Sequence, residues 1–583
     1  MDIRGKEITP RETVDSAKNI LEELGLTYKI NLIYSGVDTY SHGLEIFFKE
    51  FPEYRVHKTN GKGITEEYSE ASAFAEMIER ISNLAVLLNL ERFKLNEYSG
   101  KYISSNEKIL SFKEVSKLDG YIGKCKLNYG KKFLESFKYF DEVYIEEDKS
   151  ICVEVTNIKD NYKCFVPLSY LINDTNGMCA GNTKEEALCQ GIFELFERYS
   201  HNYIIENKII PPILPREIYE DTYSNKIIDK IENYENGRYK VVVRDCSLGL
   251  KIPIAGIVIF DKLKKKYRAS FGASYNYSIA LERCLTEILQ NREINDMPFL
   301  DIFNPLDASS KNNMVNMEIA GIAHMPEEFL CGLENSYEFE GNLNLGENNV
   351  EILNNIMKVL KNQNIDIYYF DNSFLGMNCY KLLSFELGFI KLIDNGDYFK
   401  NELDIYKNIG SKDLTFEHAD NVLDKLFKTR IITGKICDIL GVNNCRDFED
   451  GKIYNIHDLF MAVMLLKVED IEGFIKYANY FIDYYSGDNL KGISLLRCLV
   501  HIYSFKIKNL NLEIVISLLE NVYSQEEIKK CFDILKDTDK VIETFGFFDR
   551  GGQGEFNLCI PEFLTRYKEF INTINRLRIE AGK

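Results

Sequence analysis

The stretch Asn176–Ile205, NGMCAGNTKEEALCQGIFELFERYSHNYII, decides how the rest of the chain is read. Its small-residue turn is followed by Thr183 and, three residues on, Glu186, the spacing of a capping box that starts a helix near Lys184 and carries it to about Glu206. Within that helix Gln190, Glu194, Glu197 and Arg198 stand at offsets 0, 4, 7 and 8, on or beside one helical face. The residues between them, Ile192, Phe193, Leu195 and Phe196, are apolar. A helix apolar on most sides is buried on most sides, so its carboxylates face one another or line a cleft.

The same arrangement recurs upstream. SAFAEMIER places Ser72, Glu76, Glu79 and Arg80 at offsets 0, 4, 7 and 8 in a helix expected from Glu66 to about Leu90. A third helix, expected from Ile279 to about Arg292, carries Glu282, Arg283, Glu287, Gln290 and Arg292 in ALERCLTEILQNR, with Arg283 one turn before Glu287. Three helices would then bring Glu76, Glu79, Glu194, Glu197 and Glu287 to a shared interior. Carboxylates gathered in a low dielectric repel one another unless cations offset them. Oxygen ligands on rigid helices suit Mg²⁺ better than zinc or copper, and Mg²⁺ takes its remaining oxygens from water and phosphates. Arg80, Arg198 and Lys62 of NGKG supply cations for such phosphates, which makes a nucleoside triphosphate the leading ligand. The plain alternative is that these Glu–Arg pairs are ordinary salt bridges, since ExxER is a common sequence. Glycines precede each helix, at Gly61 and Gly63, Gly177 and Gly181, and Gly272. They read as turn formers, or as places where backbone amides approach an anion. No GxxxxGK[ST] and no GxGxxG is present.

Around these helices, strands are expected in the segment 26–63, in EVYIEE and KCFVPLSYL, and at KVVVRD, IPIAGIVIF and KKYRASFGA. Further strand signals occur at DIYYFDNS, LLSFELGF and IKLIDN. A short helix covers 12–26. From about residue 405 the pattern is almost purely helical, at 412–428, 455–466, 471–486, 491–505, 511–522 and 525–538. The fold class is therefore α+β, with residues 1–404 as one domain of mixed sheets and long helices. Residues 405–583 form an all-α, helical-repeat or bundle domain resembling tetratricopeptide (TPR-like) pairs.

Composition narrows the function. The 583 residues hold 71 Lys and Arg against 90 Asp and Glu, a net charge of −19, with no long basic block. Binding to nucleic-acid phosphates or an anionic membrane needs a cationic surface, so neither is expected. No apolar run is long enough to span a bilayer, and MDIRGKEITPRE has no secretory region, so a cytoplasmic location is expected. The 14 Cys and seven His residues are scattered, without CxxC or HExxH, which reads as reduced thiols with no local zinc or iron–sulfur site. Cys179, Cys189 and His201 lie near the second helix and receive no role.

These blocks together resemble the YcaO family: the 176–205 stretch, NGKG near 60, DCSLG at 245–249, FGAS at 271–274 and the helical carboxy-terminal region occur in order. The resemblance implies an ATP- and Mg²⁺-binding α+β domain. Family members that are enzymes use ATP to phosphorylate a peptide amide oxygen, during cyclodehydration to azolines or conversion to a thioamide. By resemblance, Ser72, Arg80, Gln190, Arg198, Gln290 and Arg292 bind nucleotide, Glu76, Glu79, Glu194, Glu197 and Glu287 bind metal, and Lys6 and Ser16 approach the nucleotide. The family's cyclodehydratases commonly end in a proline-rich tail, whereas this chain ends in INRLRIEAGK, which argues against azoline synthesis. A relative with a similar helical extension is linked to β-methylthiolation of an aspartate in a small-subunit ribosomal protein, beside a radical methylthiotransferase. The resemblance thus implies an amide-activating enzyme or accessory ATPase in that modification, acting as a homodimer. A noncatalytic nucleotide-binding interaction protein and a peptide cyclodehydratase or thioamide synthetase remain as alternatives.

Overall fold

The computed structural model describes residues 5–83, 104–128, 149–172, 175–301, 313, 323–332, 334–388, 456–484, 492–538, 540–545 and 561–583. The strand signals EVYIEE and IKLIDN, the helix signal 412–428 and the expected boundary at 404/405 lie outside the described residues.

Helix α1 (Pro10–Glu23) starts two residues earlier than its periodicity suggests, because Thr9 and Glu12 form a capping box ahead of Pro10. Strands β1 (Leu26–Tyr34), β2 (Tyr40–Phe48) and β3 (Phe51–Gly63) form an antiparallel sheet in that order. Helix α2 (Glu66–Ser82) packs on β3 and β2. A second sheet has the order β4 (Lys108–Ser111), β5 (Lys149–Asn157), β12 (Ile367–Asp371), β13 (Asn378–Ser384) and β7 (Met178–Gly181), with β6 (Lys163–Pro167) also paired to β5. Against β7 and β13 lies α3 (Lys184–Asn207). The third sheet runs β11 (Leu300–Asp301), β10 (Lys266–Ala273), β9 (Ile254–Asp261), β8 (Tyr239–Asp245). Behind it α4 (Tyr223–Asn233) packs with α5 (Tyr277–Ile288), which also covers β10 and β9. Helix α6 (Asn349–Asn362) sits beside α3. The α+β expectation holds.

Each sheet therefore delivers one helix through the same local device. A strand ends, a capping residue follows, and the helix doubles back onto its own strand. Thr65, Thr183 and Asn276 are the caps, each accepting from the amide three residues on. The glycines make the close return possible. A Cβ on Gly61 would stand 2.1 Å from Ser69 O and 2.2 Å from Ala73 N. On Gly272 it would meet Ala280 O at 2.4 Å and Cys284 N at 2.9 Å, at the same eight- and twelve-residue separations. In the middle unit the exchange is reversed: the strand carries Cys179, and the helix supplies Gly191, whose added Cβ would lie 2.7 Å from Cys179 Sγ. Gly63 and Gly181 repeat a third contact, against Ser69 N at 2.6 Å and Ala187 N at 2.5 Å. The expectation that these glycines are turn formers is thus corrected. Four of the five are strand residues chosen for close backbone approach, and Gly177 alone, with φ +77°, serves a turn.

The helical region contains α7 (Ile456–Lys467), α8 (Ile471–Tyr484), α9 (Ile493–Ile507), α10 (Leu512–Leu519) and α11 (Gln525–Lys536), which share one apolar core. The last helix, α12 (Pro561–Glu580), does not join that core among the described residues. Phe570, Ile571 and Ile574 pack instead in the core of α1, α2 and the first sheet. Phe570 meets Phe48 edge-on at 5.6 Å, Arg578 donates to Ser82 O at the end of α2, and Lys583 Nζ bonds Asp371 at 2.5 Å.

Candidate active site

Where the ends of β3, β7 and β10 come together, α2, α3 and α5 enclose a cavity of about 440 Å³, within the usual range for a ligand site. Its wall includes Ser72, Glu76, Glu79 and Arg80 from α2, and Gln190, Glu194, Glu197 and Arg198 from α3. Arg283, Glu287 and Gln290 come from α5 and the turn after it. The strand–helix register makes Ser72, Gln190 and Arg283 equivalent, as it does Glu76, Glu194 and Glu287, and then Glu79, Glu197 and Gln290. Arg283, which the resemblance does not name as a ligand, lines the cavity, and extending the offset pattern to the third helix identifies it. That helix ends at Ile288 rather than near Arg292, so Gln290 and Asn291 follow it, Asn291 with φ +59°.

Eleven of the thirteen residues named from the resemblance line this cavity, and Ser16 and Arg292 do not. Thr13, one turn before Ser16 on α1, supplies the hydroxyl there and donates to Asn182 Oδ1 at 3.2 Å. Arg292 bonds the Gln290 carbonyl at 2.9 Å and lies on the side of Arg268. Lys6 reaches the cavity on the segment preceding α1, with Nζ 2.9 Å from Glu186 Oε1. The Glu186 carboxylate also accepts from Glu7 N at 3.4 Å and Asn182 Nδ2 at 3.3 Å. Its engagement there explains why only half of the expected capping box forms: Thr183 caps Glu186 N, while the Glu186 side chain anchors the amino-terminal segment.

Four of the five acidic groups have partners within the protein. Arg80 holds Glu76 at 3.0 Å and Glu79 at 2.5 Å, Ala273 N donates to Glu197 at 3.1 Å, and Lys62 Nζ contacts Glu287. Arg283 Nη1 bonds Gln190 Oε1 at 2.9 Å. Burial raises the Glu79 carboxyl to about 8, helped by Glu76 and Glu194 and opposed by Arg80. Burial also raises Glu194, against Arg198 and Arg80. Two buried atoms at the wall have no partner, Arg283 Nε and Asn60 Oδ1. Among the described residues, no three His, Cys, Asp or Glu side chains stand ready as a metal centre. Three of the five carboxylates, Glu76, Glu79 and Glu287, are held by the protein's own cations.

The neighbouring Cys and His residues are inert. Burial pushes the Cys189 thiol up to about 12 and Cys179 well above its ordinary value. His201 stacks on Phe271 at 4.1 Å, and burial lowers it to about 3, so it is a neutral packing residue.

The family described as YcaO cyclodehydratase, ATP- and Mg²⁺-binding, matches residues 60–384, which spans all three strand–helix units. The chain belongs to the YcaO family. It is 33% identical over 256 residues to the ribosomal protein S12 methylthiotransferase accessory factor YcaO of Escherichia coli, covering 42% of each chain. An uncharacterized protein of Haemophilus influenzae is 28% identical over 351 residues, 56% of each chain. The chain thus spans about half the length of the curated relatives it matches. Among solved structures, YcaO from Methanopyrus kandleri bound with AMPPCP and Mg²⁺ is similar at 16% identity and TM-score 0.41, over 68% of this chain and 95% of that one. Among the described residues no helix is long and apolar enough to cross a membrane.

The residues present fit the family's two ligands. The donor set is all oxygen, as Mg²⁺ prefers, and Arg80, Arg198, Arg283 and Lys62 can meet phosphates. The unpaired Arg283 Nε points to a missing acceptor at the wall.

Proposed function

We propose that this protein uses ATP and Mg²⁺ to activate a peptide or protein amide by phosphorylating its oxygen, as an accessory factor in β-methylthiolation of an aspartate in a small-subunit ribosomal protein. The observation that carries the reading is the convergence of three equivalent helices, with seven carboxylates and three arginines, on one cavity. Glu76, Glu79, Glu194, Glu197 and Glu287 would hold Mg²⁺, and Ser72, Gln190, Gln290, Arg80, Arg198 and Arg283 would position the nucleotide. Bound Mg²⁺ supplies charge stabilisation for the transferring phosphoryl group. The arginines would add to that stabilisation, and the rigid strand–helix units would hold the residues that position the nucleotide. A nucleophile adds to the amide carbon, the oxygen takes the phosphoryl group, and phosphate then departs in place of a poor oxyanion leaving group. The carboxylates hold cations rather than attack.

Mass spectrometry of ribosomal proteins from a deletion strain, complemented with the parent or with Glu197→Gln, tests this. The parent restores the modification and the variant does not; equal restoration by both would remove ATP from the account. A noncatalytic interaction protein is the second reading. It is favoured by the exposed row Leu510, Ile514, Leu518 and Val522 along and beside α10. Under that reading partner capture persists in Glu197→Gln and cellular modification stays normal.

A homodimer is part of the proposal. Among the described residues strand β1 is an edge of its sheet, and Tyr28, Ile30, Leu32 and Tyr34 are exposed along one face of it. The sequence Tyr28-Lys-Ile-Asn-Leu-Ile-Tyr34 is close to a palindrome about Asn31. Antiparallel pairing with a second β1 would place Tyr against Tyr and Ile against Leu, as a two-fold interface requires.

A further inference from the structure

The inference here rests on the proposed Mg²⁺–nucleotide site and concerns Lys62. This residue sits in β3 between Gly61 and Gly63, the two positions at which the strand touches the α2 backbone, so its Cα is held firmly in place. Its side chain lines the cavity. The equivalent strand positions in the other two units are Ala180 and Ala273, so this charge appears once among three otherwise similar places.

The Lys62 ammonium contacts Glu287, and the side chains are 28% and 45% exposed. Glu197, Glu76 and Glu194 are near enough to favour its charged form, while burial and the Arg283 guanidinium push it down to about 8. One ammonium therefore stands amid four of the five carboxylates assigned to Mg²⁺. A divalent cation entering this cluster needs the same oxygens, and both cations cannot share them at close range.

We propose that Lys62 is a built-in counter-ion that occupies the Glu287 carboxylate when metal is absent, yields it to Mg²⁺, and is thereby released to pair with nucleotide phosphate. The consequence is a pair of opposite effects. Removing the ammonium frees Glu287 for metal, so metal affinity without nucleotide rises. The same change deletes a phosphate partner, so nucleotide affinity at saturating Mg²⁺ falls. A lysine that merely supported the fold would weaken both together.

Lys62→Met in the full-length protein tests this, with Mn²⁺ alone as the first probe, followed by electron paramagnetic resonance, and a non-hydrolysable ATP analogue at saturating Mg²⁺ as the second. Mn²⁺ binding should tighten on the order of two- to fivefold, the scale of one half-exposed ion pair, and analogue binding should weaken by a similar factor. Lys62→Arg, which keeps the charge, should leave Mn²⁺ affinity near the parent's. Unchanged or weaker Mn²⁺ binding in Lys62→Met overturns the proposal. If that variant does not fold, the parent decides: acylation of Lys62 by an amine-reactive ester should speed up when Mn²⁺ is added without nucleotide, and an unaltered rate overturns it. A parent that binds no Mg²⁺–nucleotide would sink the site itself. A parent that binds normally beside a Lys62→Met that gains no metal affinity sinks only the displacement.

Discussion

Gly61→Ala puts the strand–helix device under direct test. Its new Cβ would lie 2.1 Å from Ser69 O and 2.2 Å from Ala73 N, both backbone atoms of α2 that no side-chain rotation can clear. Ordinary carbon contacts begin near roughly 3.5 Å, so strand and helix must separate by about 1.4 Å. Overpacking costs typically about 1–3 kcal/mol when side chains can adjust; with backbone on both sides, a loss of about 3 kcal/mol or more is expected. The same shift carries Glu76 and Glu79 away from the α3 carboxylates, and a misplacement of about 1 Å is enough to cost on the order of a hundredfold in function. Urea unfolding gives the stability, and calorimetric titration with Mg²⁺ and an ATP analogue gives the site. Gly123→Ala is the control, because a Cβ there meets only Leu118 O at 3.7 Å within a helical segment. Gly61→Ala unfolding within about 0.5 kcal/mol of the parent, with unchanged nucleotide affinity, would refute the claim that close backbone approach sets the cavity.

Glu79 gives a pH dependence. Its folded value, about 8, lies above the ordinary 4.5, so its contribution to the stability of the metal-free protein is complete below 4.5 and is lost as pH rises through about 8. Thermal melting of metal-free protein should therefore decline from about pH 4.5 to about pH 8 and level off above that, with Glu79→Gln flattening the decline. Arg578→Ala removes a fully buried side chain that stacks on Phe374 at 4.7 Å and meets the α2 carboxy terminus. It should destabilise by roughly 2–4 kcal/mol in denaturant unfolding. Leu32→Lys on the β1 edge should turn a dimer into a monomer by light scattering, with Mg²⁺–nucleotide affinity unchanged.

How much the sequence disclosed depends on what each residue does. The carboxylate spacing on α2 and α3 was legible because helical offsets translate directly into a shared face. The third helix was harder: its Arg283 stands where the others have Ser72 and Gln190, and its Gln290 falls beyond the helix end, so similarity of residue type failed while position persisted. Thr13 rather than Ser16, one turn away on the same helix, lines the cavity, and packing against Asn182 places it there. The glycines suggest turns from sequence alone, since a turn is a local fact and a close strand–helix crossing a long-range one. The return of α12 to the first core left no local signal either. Its apolar residues look the same whether they pack on the helical region or, as they do, beside Phe48.

The most direct test of the central claim is a crystal structure with Mn²⁺ and a non-hydrolysable ATP analogue, with the metal located by its anomalous scattering. The account predicts manganese bound by Glu76, Glu79, Glu194, Glu197 and Glu287, bridging to the phosphates within this cavity. Manganese and triphosphate held elsewhere, with Glu76 and Glu79 still paired to Arg80 and Glu287 to Lys62, would contradict it.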